Sequence, residues 1–208
     1  MALATARIRS MGCIGGRRYR AAGGLVPDRP WPAVSPPEMV VGYLAAVASA
    51  PPLDLQLSPL NGPARSVEAW LTTFHLVFVA LDPFTYESAW LLPTAARVLT
   101  GFQEADCRIA WVVAGTPDEC RQFLGPLAKE ILTFADPDRS AIKAFGLERL
   151  PALVHVGTDG SVIGAAEGWN PAEWRELAAS LARMMAWTPP NIPINGDPGP
   201  YPGSPALG

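Results

Sequence analysis

The 208-residue sequence has little charge and few residues of the kinds that build metal or disulfide sites. Charged residues make up 17% of it, and its 16 Lys and Arg face 19 Asp and Glu. Specific nucleic-acid binding is therefore not expected, because phosphate contacts need a surplus of basic residues. Three cysteines are too few, and an odd number, for a disulfide scaffold. No run of 18 apolar residues occurs, so we expect no transmembrane segment.

Proline and glycine, in contrast, are abundant, with 23 Pro and 19 Gly. The first 30 positions hold six Arg and five Gly against one acidic residue. Such a stretch cannot bury enough apolar surface to offset the entropy of ordering it. We therefore predict a flexible Arg/Gly-rich arm over residues 1–34. An acidic partner would suit its charge, although a solvated tail is the more frequent form of such a segment.

Two further segments flank the central part of the chain. Residues 35–50 start with Ser35-Pro36-Pro37-Glu38, a helix-capping pattern, and continue as an apolar run, which predicts a short packed helix. A signal peptide is disfavoured because Pro51 follows this run at once, so we expect a cytoplasmic protein. Residues 187–208 contain seven Pro and four Gly, which predicts an extended Pro/Gly-rich tail.

Residues 51–186 alternate apolar runs of strand length with patterns of helical spacing. The Thr158-Asp159-Gly160 turn predicts a hairpin between the last two strands. The predicted strands are 74–81, 108–114, 152–156 and 161–165, and the predicted helices are 87–102, 117–130, a short one ending at Gly146, and 170–185. This order predicts an α/β fold that combines parallel strands with an antiparallel hairpin.

Three motifs in this segment lie in a familiar order. Leu150-Pro151 opens the strand 152–156, and Phe134–Asp138 precedes it, followed by Ala144–Leu147. Pro93 lies five residues after Ser88 within the predicted helix 87–102. Over about residues 52–186 these motifs resemble the thioredoxin-like fold. Within it they resemble the branch of TlpA-type thioredoxins and of alkyl hydroperoxide reductase and thiol-specific antioxidant proteins. The resemblance implies a three-layer α/β/α sandwich with a central mixed sheet and a cis-proline at Pro151.

The same resemblance places the family's Cys-x-x-Cys motif at Thr85-Tyr86-Glu87-Ser88, where hydroxyl residues occupy both cysteine positions. Thiol exchange needs a thiolate, and an unassisted serine hydroxyl is not ionised at neutral pH. A peroxiredoxin would need its thiolate at Ser88 and an Arg near Pro151, where only Arg149 is close. We therefore predict a redox-inactive peptide-binding, protein-binding or assembly module with no catalytic residue and no cofactor.

An enzymatic alternative stays open at this point. Cys120 or Cys107, with a small thiol as resolving partner, would give a thiol-dependent oxidoreductase or a peroxidase-like antioxidant protein. Cys120 lies near a helix start, where the dipole favours a thiolate, but Asp118 and Glu119 oppose this effect. Cys107 precedes a buried strand and has the position of a small apolar filler.

The resemblance also implies a binding groove, because in active relatives the cis-proline edge hydrogen-bonds an extended peptide. We expect a protein or peptide partner at the Pro151 edge, in a groove lined by Thr85, Tyr86, Ser88, Trp90, Leu150 and Pro151. The alternative is a vestigial groove, or one filled by a tail of this chain. No metal site is expected, since the only two histidines, His75 and His155, lie in predicted strands.

Overall fold

The computed structural model describes residues 48–208, so the predicted arm and nearly all of the predicted segment 35–50 lie outside the described part. None of the helices within residues 48–208 is long and apolar enough to cross a bilayer. In chain order the elements are β1 (Gln56–Pro59), β2 (Arg65–Ser66), α1 (Val67–Leu71), β3 (His75–Leu81), α2 (Tyr86–Thr100), β4 (Cys107–Val113), α3 (Pro117–Leu124), α4 (Leu127–Glu130), β5 (Leu132–Ala135), α5 (Ser140–Ala144), β6 (Arg149–Leu150), β7 (Ala152–Val156), β8 (Val162–Glu167), α6 (Pro171–Met184) and β9 (Ser204–Pro205).

Seven strands form a mixed sheet in the order β2-β1-β5-β4-β3-β7-β8. The central strands β3, β4 and β5 are parallel, whereas β1, β2, β7 and β8 run antiparallel to their neighbours. Alternate residues of β3 enter different hydrophobic clusters, because successive side chains of a strand point to opposite faces. Val79 packs on the side of α2 and α6, and Phe78 on the side of α1 and α5. The predicted α/β sandwich with a central mixed sheet is confirmed.

The prediction of a single helix over residues 117–130 is wrong, because the structure has two helices there, α3 and α4. Gly125 follows α3 with a φ of 55°, a left-handed value that glycine adopts at little cost and that ends a helix. The start of α3 agrees with the prediction. Thr116 Oγ1 accepts from the Glu119 N–H, and the Glu119 carboxylate accepts from the Thr116 N–H at 2.7 Å.

Six elements of the described part carry no usable sequence pattern and were missed, namely β1, β2, α1, β5, β6 and β9. Each has at most five residues, too few for a period of 2.0 or 3.6 to be read from the sequence. The strands β1 and β5 pair with each other through Ser58 and Ala135, which lie far apart in the chain. Tertiary pairing therefore defines these strands.

The Pro-rich segment 187–208 packs against the domain. Two of its side chains are buried in the domain, Ile192 on one side of the seven-stranded sheet and Ala206 on the other. Its last strand, β9, pairs antiparallel with β6 in a separate two-stranded sheet. The chain end thereby covers the segment that leads into β7.

Candidate functional site

The candidate site lies at one end of the central sheet, where the loop after β3 meets the loop before β7. Ala80 of β3 pairs with Ala152 of β7, so the residues that follow Ala80 and those that precede Ala152 lie at the same end. The Leu150–Pro151 peptide bond is cis. The predicted Thr85-Ser88 segment begins only a few residues after Ala80. The antiparallel pairing of β3 and β7 thus places the two halves of the predicted site at the same end of the sheet.

Thr85 and Ser88 form a hydroxyl pair at the start of α2. Thr85 is the residue before the helix, and Ser88 lies in its first turn, fully buried. Thr85 Oγ1 lies 3.1 Å from Ser88 Oγ and 3.1 Å from the Asp82 carbonyl oxygen. The Asp82 N–H donates to Ser88 Oγ at 2.9 Å. These contacts give Ser88 a structural role, since its oxygen satisfies a buried backbone donor.

An ion pair lies beside this hydroxyl pair. Arg139 donates to the Asp82 carboxylate at 2.8 Å, and only 6% of the Asp82 side chain is exposed. The other Asp82 oxygen accepts from the Phe84 N–H, a contact typical of an Asx turn. Arg139 has a φ of 58°, an uncommon left-handed conformation for a non-glycine residue, and the ion pair helps to hold it there. Asp82 and Arg139 are 57 residues apart in the chain, so no local pattern of the sequence indicates that they pair.

Arg139 also connects the site to the end of the chain. Its guanidinium donates to the Ala206 carbonyl at 2.6 Å while it binds Asp82. A hydrogen-bonded path therefore runs from Ser88 through Asp82 and Arg139 to the C-terminal segment.

The six predicted groove residues differ in exposure. Tyr86 is 77% exposed and Trp90 is 61% exposed, and their rings stack with centroids 6.2 Å apart. Thr85 is half-buried, whereas Ser88, Leu150 and Pro151 are buried. Phe84, at 68% exposure, joins Tyr86 and Trp90, and we call these three residues the aromatic rim. An aromatic surface is thus accessible, while the cis-proline edge is covered.

The cover over that edge is β9. Leu150 pairs with Ser204 and Arg149 pairs with Pro205. One alternative from the sequence was a groove filled by a tail of this chain. Ser204 and Pro205 of the C-terminal segment occupy the edge formed by Arg149 and Leu150, which we call the Leu150 edge. Tyr201, three residues earlier, lies edge-on to Trp90 and donates its hydroxyl to the Glu87 carbonyl at 2.6 Å.

The two described cysteines are free and lie in the core. Burial, with the charge of Asp106, raises the pKa of the Cys107 thiol to about 11. Burial, with the charge of Glu119, raises the pKa of the Cys120 thiol to about 11 as well, despite its place in α3. Both thiols are therefore protonated at neutral pH, and a protonated thiol is a poor nucleophile.

The histidines form a pair between adjacent strands. His75 Nδ1 and His155 Nε2 are 2.9 Å apart, in a hydrogen bond across β3 and β7. Burial and the neighbouring His75 lower the pKa of His155 to about 4. Within residues 48–208, His, Cys, Asp and Glu side chains form no group of three that would hold a metal ion.

Comparison with known proteins finds similarity in structure only. No protein-family model matches the sequence, and no curated protein is significantly similar to it. A protein from Chlorobium tepidum assigned as a thiol:disulfide interchange protein DsbE is 14% identical, with a TM-score of 0.55 over 67% of this chain and 97% of its own. Peroxiredoxin Q from Xanthomonas campestris is 17% identical, with a TM-score of 0.53 over 68% and 98%.

Mycobacterium tuberculosis DsbF, 20% identical, has a TM-score of 0.52 over 64% of this chain and 96% of its own. At such identities the similarity shows the fold alone. The chain has a thioredoxin-like fold, similar to that of DsbE-like proteins and of peroxiredoxin Q, and the resemblance inferred from the sequence is confirmed.

Proposed function

We propose that this protein is a redox-inactive thioredoxin-like module that binds an extended peptide or protein segment. The observation that carries the proposal is the hydroxyl pair of Thr85 and Ser88 at the start of α2, where thiol chemistry would need sulfur. Ser88 is fully buried, and its oxygen accepts from the Asp82 N–H. A side chain in this position stabilises the loop and has no base beside it that would make it a nucleophile.

The burial of Cys107 and Cys120 argues against the enzymatic alternative. Each thiol is in the hydrophobic core, and each has a pKa of about 11. A resolving small thiol would have to reach a sulfur that the fold shields from solvent. A cytoplasmic location, which the sequence favours, is part of this proposal.

Two features support the binding role. The aromatic rim exposes three large rings on one short stretch of chain, and aromatic residues with exposed faces are typical of recognition surfaces. The Leu150 edge, in addition, pairs with an extended segment of the chain's own C-terminal region. Backbone pairing at a free strand edge is a common way to bind an extended peptide.

The redox part of the proposal is tested with the purified full-length protein. We expect no reduction of insulin disulfides and no consumption of peroxide, with an active thioredoxin and an active peroxiredoxin as positive controls. Turnover by the wild-type protein that disappears in Cys120→Ala or Cys107→Ala would overturn the proposal in favour of the enzyme.

The binding part is tested with an array of extended peptides and two tryptophan variants. Trp90→Ala removes an exposed ring of the aromatic rim and is expected to weaken binding of the captured peptides by about tenfold, the scale of one aromatic contact. Trp187→Ala is the matched control, since Trp187 is also partly exposed but donates its ring N–H to the Gly101 carbonyl at the C-terminal end of α2, whereas Trp90 lies near the start of that helix. Equal effects of the two substitutions would contradict a role for the rim.

A further inference from the structure

The C-terminal segment of this chain binds the edge that a partner would use. We propose that residues 201–206 are an intramolecular ligand of β6, and that the partner of this edge is an extended peptide of the same Gly-x-Pro-small pattern that displaces them. This inference rests on the proposed binding function and names the ligand class and the regulation of that site.

The contacts between the segment and the edge have the form of a bound peptide. Ser204 and Pro205 pair antiparallel with Leu150 and Arg149. The Ala206 N–H donates to the Glu148 carbonyl at 2.8 Å, which extends the ladder by one step. Main-chain hydrogen bonds of this kind bind a strand whatever its side chains are, so selectivity must come from particular positions.

Ala206 is the first selective position. Its side chain is fully buried in the cluster on the α1 and α5 side of the sheet, and Arg139 donates to its carbonyl at 2.6 Å. Its neighbour Leu207 is 56% exposed, although leucine is the more hydrophobic residue. The site thus selects a small apolar side chain at this position, because a larger one would overlap a close-packed core.

Gly203 is the second selective position. Its φ of 77° lies in the left-handed region, and a Cβ there would stand 2.6 Å from the Leu150 carbonyl oxygen. Gly168 faces the same segment, and a Cβ on it would stand 2.6 Å from the Pro202 carbonyl oxygen. Two backbones approach each other closely here, and only glycine permits this distance. A competing peptide must therefore carry glycine two residues before its proline.

A second anchor holds the segment farther from the edge. The Asp197 carboxylate accepts from Arg97 at 2.7 and 3.0 Å, from Thr94 Oγ1 at 2.8 Å and from the Ile194 N–H at 2.7 Å. Because this anchor does not involve β6, the last residues can leave the edge while the chain stays attached at Asp197. A tethered ligand of this kind has an effective concentration of about millimolar, so it blocks weak competitors and yields to tighter ones.

The test uses the full-length protein and a labelled synthetic peptide spanning Tyr201–Gly208. Ala206→Asp places a charge in the buried position and is expected to release the intramolecular segment. Leu207→Asp is the matched control, with the same charge one residue farther on at an exposed position. The peptide is expected to bind Ala206→Asp at least about tenfold more tightly than the wild type or Leu207→Asp, because its competitor is gone. The same peptide carrying the Ala206→Asp change is expected not to bind.

Hydrogen exchange of residues 201–208 reports release of the segment independently of peptide binding. If exchange is fast in Ala206→Asp and the peptide binds neither protein, both this inference and the proposed binding function fail. If the peptide binds wild type and variant equally, the inference fails and the binding function stands. Hydrogen exchange of residues 201–208 that stays slow in Ala206→Asp also overturns the inference.

Gly203→Val is a second variant expected to release the segment. If both variants lose the circular dichroism of the folded protein, the segment is a structural part of the fold and the inference is wrong.

Discussion

Thr85 Oγ1 lies 3.1 Å from Ser88 Oγ at the start of α2. The two residues are one helical turn apart, and their side chains converge on the Asp82 backbone, from which Ser88 accepts a hydrogen bond. Oxygen thus stands in both positions that the sequence resemblance assigns to the family's cysteines. The pair contributes to the stability of the loop.

Ser88→Ala is expected to destabilise the protein. The substitution leaves the buried Asp82 N–H without its acceptor, which costs about 1–3 kcal/mol of unfolding free energy. Denaturant unfolding measures the loss, and Ser161→Ala is the control, since Ser161 is exposed. A loss of equal size in both variants would contradict the structural role of Ser88.

The double variant Thr85→Cys with Ser88→Cys is expected to form an intramolecular disulfide. The present 3.1 Å between the two side-chain oxygens closes to a sulfur–sulfur bond of about 2.05 Å with only a small shift. Free thiols are counted before and after mild oxidation, and Thr85→Cys alone is the control. A folded double variant that keeps both thiols free would show that the site has been assigned to the wrong residues.

Asp82→Ala is expected to destabilise the protein strongly. The Arg139 guanidinium, 22% exposed, would lose its carboxylate partner, and breaking a largely buried ion pair costs about 3–5 kcal/mol. Asp118→Ala removes a carboxylate that also binds an arginine but is 95% exposed, so its effect should stay within about 0.5 kcal/mol. Thermal or denaturant unfolding measures the loss of stability in each variant. Comparable losses in Asp82→Ala and Asp118→Ala would mean that Arg139 does not depend on Asp82.

Acidification is expected to destabilise the wild type more than His155→Gln. The pKa of His155 is about 4 in the folded protein, below the value of about 6.5 in unfolded chains, so the folded state favours the neutral ring. This contribution is complete above about pH 6.5 and is lost as the pH falls toward 4. Between pH 7.5 and 4.5 the wild type should lose more than about 1 kcal/mol beyond the loss in the variant. Parallel pH profiles would contradict the assigned pKa.

The central strands and long helices could be predicted because each carries its own periodic pattern. The apolar run at β3 and the capping box at Thr116 were placed within one or two residues. The break at Gly125 had a sequence signal in the Gly125-Pro126 dipeptide, and it was missed because apolar residues continue on both sides of it. The short strands β1 and β5 were missed because they are defined by pairing with segments distant in the chain, β1 with β5 and β5 also with β4.

The candidate site, too, could be predicted from the sequence only in part. The hydroxyl residues at 85 and 88 follow from local motifs, but the partner of Asp82 is Arg139, 57 residues away. The aromatic rim combines Phe84, Tyr86 and Trp90, which are close in sequence, yet their exposure depends on what the rest of the chain covers.

The sequence alone determined that the side chains at positions 85 and 88 end in oxygen and not in sulfur, because the atoms of a side chain do not change on folding. Only the tertiary structure decided that Cys120 is shielded and that the Leu150 edge is occupied by Ser204. Burial and strand pairing depend on which distant segments meet, and no pattern within a few residues encodes such a meeting.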